Sequence, residues 1–140
     1  MFYADTSVLV AVFTQEAASN RATAWLRRSE SEGVVISEWV ATEFAAALSA
    51  KIRTKHIDDA YRANALNLFA QTARESMQVA AVTEAHFKRA AEFAYDYTLG
   101  LRAGDALHLA IASDHKAVLC TLDKRLAGAG KALGFASRLI

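Results

Sequence analysis

Short apolar runs alternate with longer stretches in which apolar residues recur every three or four positions. Phe2–Asp5, Gly33–Ile36, Met77–Val82 and Ala117–Thr121 carry almost no polar alternation, and Gly134–Ser137 is a weaker fifth run. Such runs predict strands covered on both faces, which is the condition of a mostly parallel sheet with helices on each side. Between them the period is helical. Ser37 is placed to cap a helix whose core face is Val40, Phe44, Leu48 and Ile52. Helices follow over His56–Arg74, over Thr83–Leu99 with Phe87, Ala90, Ala91 and Ala94 on one side, and over Arg102–Lys116, opened by Gly104 and Asp105. The implied order is βααβααβααβαβ, an α/β class with about five strands.

Composition sharpens this picture. The chain has 140 residues, 54% hydrophobic and 22% charged, enough for one domain with a real core over 1–140. Alanine occurs 31 times and proline never, which favours uninterrupted helices. No linker, repeat or low-complexity segment suggests a boundary. Sixteen Lys+Arg against 15 Asp+Glu leave a net charge of +1, so any nucleic acid would be held by a local patch rather than a global field. A single cysteine, Cys120, excludes an internal disulfide and a Cys-rich zinc site, and its apolar surroundings predict an inert core thiol. The apolar N-terminus has no positive n-region and carries Asp5, which argues against a signal peptide. No run reaches the ~18 apolar residues of a membrane span. A cytoplasmic location is expected.

Ligands of an open parallel sheet bind beyond the carboxyl ends of its strands. Asp5 closes the first strand and Asp123 follows the run ending at Thr121. Glu43 lies about 9 Å along the helix after the second strand, at the border of its core stripe. Asp105 opens the helix that leads into Ala117. Four carboxylates are thereby directed to one end of the sheet. Crowded carboxylates repel unless a cation intervenes, and Mg²⁺ or Mn²⁺ prefers such oxygen ligands. The chemistry implied is metal-assisted hydrolysis of a phosphate ester. Spacing alone leaves a plainer account open: Asp105 favoured by a helix dipole, and Asp123 a turn or cap residue. Asp5 inside an apolar strand, and Glu43 between Trp39 and Phe44, fit that account less well.

Ser7 and Thr121 could bond the acids or merely cap turns. Of the basic residues, Arg102, Lys124 and Arg125 adjoin proposed acids and are the candidates for phosphate contact; Lys51, Arg53 and Lys55 read as solvated surface. Other schemes fail. Gly128, Gly130 and Gly134 are spaced one too wide for G-x-G-x-x-G, Gly130-Lys131 lacks the rest of a P-loop, and no serine stands in G-x-S-x-G. His108 and His115 lie about 10.5 Å apart along a helix, too far to share an ion, and His108 reads as a packed or hydrogen-bonded helix residue.

Asp5-Thr6-Ser7, Ser37…Glu43, Leu101-Arg102-Ala103-Gly104-Asp105-Ala106-Leu107-His108 and Thr121-Leu122-Asp123 together resemble the PIN-domain family, and within it the VapC-type toxins of bacterial toxin–antitoxin systems. The likeness spans essentially the whole chain, with order and spacing kept. It implies a PIN-like three-layer fold and a Mg²⁺- or Mn²⁺-dependent endoribonuclease. Asp5, Glu43, Asp105 and Asp123 match the family's acidic positions, with Thr121 and Thr6 or Ser7 as polar support. It also implies a homodimer and a VapB-type antitoxin that places an arginine at the acids and itself binds DNA. Two other functions are weighed against this one: a catalytically silent PIN-like module that binds RNA or protein, and a receiver-like signalling domain. A receiver needs a phospho-accepting Asp at the end of the third strand, where this chain has Ala81-Val82-Thr83. A metal-dependent phosphatase or DNA nuclease would share the acids but not the substrate.

Overall fold

The computed structural model describes residues 1–140. The strands are β1 (Phe2–Ala4), β2 (Val34–Ser37), β3 (Met77–Ala80), β4 (Val118–Thr121) and β5 (Ser137–Leu139). The helices are α1 (Thr6–Phe13), α2 (Ser19–Ser29), α3 (Glu38–Arg53), α4 (Asp59–Ser76), α5 (Glu84–Tyr95), α6 (Ala103–Asp114) and α7 (Lys124–Ala132). The order is the expected one. All strand pairs are parallel, in the order β3-β2-β1-β4-β5. β1 is central because Phe2-Tyr3-Ala4 is apolar on both faces and fully buried. The chain winds one way from β1 to β3 and the other way from β4 to β5, so the sheet's switch point lies between β1 and β4. A receiver of the 2-1-3-4-5 type would have β3 inside the sheet; here it is an edge strand with no acid at its end. That reading is set aside.

Val40, Phe44 and Leu48 of α3 are buried as their spacing predicts, whereas Ile52, in the last turn, is only half-buried; Phe44 stacks on Phe69 of α4 with ring centroids 4.5 Å apart. No helix is long and apolar enough to cross a membrane.

Several boundaries differ from the sequence reading, each for a local reason. Asp5 does not end β1 but caps α1, its carboxylate accepting from the Val8 N–H. The helix expected over His56–Arg74 starts at Asp59, because Asp58 caps it, and it runs on to Ser76. β3 stops at Ala80, and α5 stops at Tyr95 before a separate 3-10 turn over Tyr97–Leu99. β3 and β5 are not covered on both faces as expected, because they are the edges of the sheet: Gln78, Val79, Arg138 and Leu139 are exposed. The fifth strand is not Gly134–Ser137. Gly134 has φ +80°, and the next N–H, of Phe135, returns to the Gly130 carbonyl at 2.8 Å, closing α7 before β5 begins at Ser137. On α5 the buried face is His86, Ala90 and Phe93, and Phe87 is 54% exposed. Phe87, Ala91 and Ala94 instead line a shallow apolar groove with Trp39, Ala103 and Leu107.

Candidate active site

Three helices begin at the carboxyl end of the sheet beside the switch point, and each has an acid at its N-cap or in its first turn. Asp5 caps α1, Asp123 caps α7, and Asp105 is the third residue of α6, accepting from the Arg102 N–H at 3.0 Å. The partial positive charge of a helix start favours a carboxylate there. Capping and convergence therefore coexist at these positions. Glu43, in the second turn of α3, is the fourth. Asp5, Glu43, Asp105 and Asp123 line one open cleft of ≈ 370 Å³ together with Thr6, Ser7, Ala46, Ala47 and His108.

Asp5 sits at the floor, only 4% exposed. The Ser7 hydroxyl donates to Oδ1 at 2.6 Å and the Thr121 hydroxyl to Oδ2 at 2.6 Å. Burial nevertheless pushes its pKa above the usual carboxylate range, against the pull of His108, Ser7, Thr121 and the Val8 N–H. Those donors do not fully replace the water Asp5 has lost. The Asp123 N–H donates to Thr121 Oγ1, and the Leu122 N–H to Ser7 Oγ, both at 2.9 Å, so the hydroxyls tie the start of α1 to the end of β4.

Thr6, the other hydroxyl after Asp5, serves Glu43, donating to Oε2 at 2.5 Å. His108 Nε2 lies 2.7 Å from the same oxygen. Burial alone would raise the Glu43 pKa. His108, by hydrogen bond and by charge, outweighs it with Thr6, and the pKa falls below the usual range. The indole N–H of Trp39 pulls in the same direction without completing a hydrogen bond of its own.

The basic candidates divide. Arg125 folds back over two acids, its guanidinium 3.5 Å from Asp123 Oδ2 and 3.8 Å from Asp105 Oδ2. Arg102 contributes its backbone N–H to Asp105, and neither its side chain nor that of Lys124 lines the cleft. The sequence reading did not place His108 in the site. Its position three residues after Asp105, on the same face of α6, was the available signal.

The donor set fits a hard divalent cation in kind: four carboxylates, hydroxyls behind them, no thiolate, and a buried carboxylate short of compensating positive charge. No three His, Cys, Asp or Glu side chains are gathered tightly enough to enclose one ion as they stand. Arg125 already engages two of the acids that would have to draw in.

Comparison with known proteins places this architecture. Among solved structures, FitAcB from Neisseria gonorrhoeae superposes with a TM-score of 0.70 at 20% identity, covering 98% of this chain and 96% of that one. VapC20 from Mycobacterium tuberculosis, described as a sarcin-ricin loop cleaving toxin, gives 0.73 at 19% identity, over 93% and 95%. VapBC2 from Rickettsia felis, bound to a DNA fragment from its promoter, gives 0.71 at 15% identity, over 99% and 98%. No curated protein matches the sequence at a significant level. At these identities the structural likeness concerns the fold. The PIN domain family model matches residues 2–132, nearly the whole chain and all four acids of the cleft, and the protein belongs to the PIN domain family.

Proposed function

We propose that this chain is a metal-dependent endoribonuclease acting as the toxin of a VapBC-type toxin–antitoxin pair. The observation that carries this reading is the convergence of Asp5, Glu43, Asp105 and Asp123 on one cleft at the sheet's switch point. Asp5, Asp105 and Asp123, with Glu43, would hold Mg²⁺ or Mn²⁺. When bound, such an ion supplies an activated water and charge stabilisation at a phosphodiester. The chain's own groups do the rest. Ser7 and Thr121 orient the Asp5 carboxylate, and Thr6 and His108 orient Glu43. The Arg125 guanidinium is near enough to pass from the acids to a substrate phosphate, whereas Arg102 and Lys124 are surface contacts for the flanking strand. Attack by water leaves a 5′-phosphate and a 3′-hydroxyl.

The structural neighbours include toxin–antitoxin complexes, such as that from Klebsiella pneumoniae, which supports an antitoxin partner here. The apolar groove between Trp39, Phe87 and Leu107 borders Glu43 through Trp39 and Gly104 and suits the apolar face of such a partner's tail. An arginine on that tail would bridge two carboxylates better than a lysine. The reading carries with it a homodimer in the cytoplasm, and DNA contact only through the antitoxin. The test is cleavage of structured RNA by the purified chain with Mg²⁺ or Mn²⁺ and with EDTA. Equal cleavage in EDTA rejects the mechanism. No cleavage under any metal leaves a silent binding module as the better account.

A further inference from the structure

His108 is 3% exposed, yet both its ring nitrogens have partners. Nε2 lies 2.7 Å from Glu43 Oε2, and Nδ1 lies 2.9 Å from the Tyr3 hydroxyl, which in turn lies 2.8 Å from Ser37 Oγ. Tyr3 and Ser37 are wholly buried. The string thus runs from the N-cap of α3, across β1, through α6, and back to Glu43 on α3. Burying a serine, a tyrosine and a histidine in a line is costly unless every group is paired, and here every group is. The string ends on a half-buried carboxylate in the cleft.

The Glu43 carboxylate accepts from Nε2 of His108. The Tyr3 hydroxyl, kept protonated by burial, donates to Nδ1 of a neutral ring and accepts from Nδ1 of the charged ring that pulls on Asp5 and Glu43. Ser37 Oγ pairs with that hydroxyl and also accepts the Val40 N–H at 3.4 Å. Glutamate has one more rotatable bond than aspartate and loses more freedom when fixed. His108 and Thr6 both bond Oε2, and Oε1 accepts no hydrogen bond.

We infer that His108, steadied by Tyr3 and Ser37, is a positioning residue that fixes the Glu43 carboxylate at the cleft by holding Oε2. This rests on the proposed metal-dependent reading of the cleft and extends it to three residues inside the core.

The experiment measures Mn²⁺ affinity by calorimetry and unfolding by denaturant for wild type, His108→Ala, His108→Gln, Glu43→Gln and the double variant His108→Ala/Glu43→Gln. A glutamine amide can replace the Nε2–H donor. His108→Ala is expected to weaken Mn²⁺ binding about tenfold, and His108→Gln to restore it to within about threefold of wild type, in line with a hydrogen bond to a charged group. In the double variant the loss should be no greater than for Glu43→Gln alone. Wild-type affinity in His108→Ala, or losses that simply add, overturns the inference. If His108→Ala does not fold, Tyr3→Phe takes its place. It keeps the ring and removes the contact to Nδ1, and a drop of about threefold is expected where unchanged affinity overturns the inference. Wild-type protein that neither binds Mn²⁺ nor cuts RNA defeats the proposed function by itself. The His108–Glu43 linkage is then read from the unfolding cycle, where a coupling of about fivefold upholds it and additive losses overturn it.

Discussion

Gly104 stands so close to Glu43 that a methyl group on its Cα would lie 2.6 Å from Oε1 and 3.4 Å from Trp39 Nε1. The glycine is the second residue of α6 and its φ is not positive, so the restriction is one of space and not of backbone. Gly104→Ala should therefore displace the Glu43 carboxylate and lower RNA cleavage by more than about tenfold, while helix propensity offsets the crowding by up to ~1 kcal/mol. Steady-state cleavage measured beside thermal unfolding separates the two effects. Full activity in the alanine variant would remove Glu43 placement from the account.

Asp5 gives a prediction with a definite sign. A carboxyl whose pKa rises on folding favours the native state when protonated. The ionised group therefore costs stability as pH climbs from the unfolded value, about 3.9, through the raised folded one. Asp5→Asn should unfold at a higher temperature than wild type in metal-free buffer at pH 7, and this advantage should vanish as pH falls below both values. Cleavage should be lost at the same time. A lower melting temperature at pH 7 would mean that the Ser7 and Thr121 bonds matter more than the missing water.

Thr121 is wholly buried and serves two neighbours, donating to Asp5 and accepting from the Asp123 N–H. Thr121→Val keeps the shape and strands both partners, at a cost of about 1–3 kcal/mol. Denaturant unfolding checks the stability, and cleavage should fall as well because two acids lose their tether.

Arg125 neutralises Asp105 and Asp123 without being buried. Its removal in Arg125→Ala should tighten Mn²⁺ binding several-fold at low ionic strength, with the difference shrinking as salt is added. If the substitution also weakens RNA binding, the same side chain serves the substrate. Calorimetry with Mn²⁺ alone, then with a non-cleavable RNA, reads the two effects apart.

Burial pushes the Cys120 thiol up to about 12. Native protein at pH 8 should react with iodoacetamide more than about a hundredfold more slowly than unfolded protein. Rapid modification without unfolding would mean that β4 opens readily.

The class and the element order were legible because β1, β2 and β4 lack polar alternation and are buried. Spacing directed four acids to one end of the sheet but left capping as an equal account of Asp123, and in the structure the cap and the cleft position coincide. What escaped the sequence was mostly a matter of side-chain direction. Phe87, Ala91 and Ala94 make an apolar stripe as regular as that of α3, but α5 is rotated so that His86, Ala90 and Phe93 face inward. His108 looked like a core residue, which it is; that it also reaches Glu43 depends on α3 and α6 meeting, 65 residues apart in sequence. Arg125 was placed near phosphate by its neighbours in the chain, but its long stem lets it turn back onto Asp105, alongside Gly100, whose Cα leaves room for it.

The hydrogen bond from Thr121 to Asp5 spans 116 residues, and that between Tyr3 and His108 spans 105. β1 is made first and stands at the centre of the sheet, yet one of its two neighbours is β4. On a ribosome adding about 5–20 residues per second, Asp123 follows Asp5 by about 6–24 seconds. Throughout that interval Asp5 has neither the Thr121 hydroxyl nor the opposite wall of the cleft. Contacts this distant in sequence also form slowly once the chain is free. The acids therefore come together only when synthesis of the domain is nearly over, and a growing chain passes through the translation machinery with its cleft unassembled.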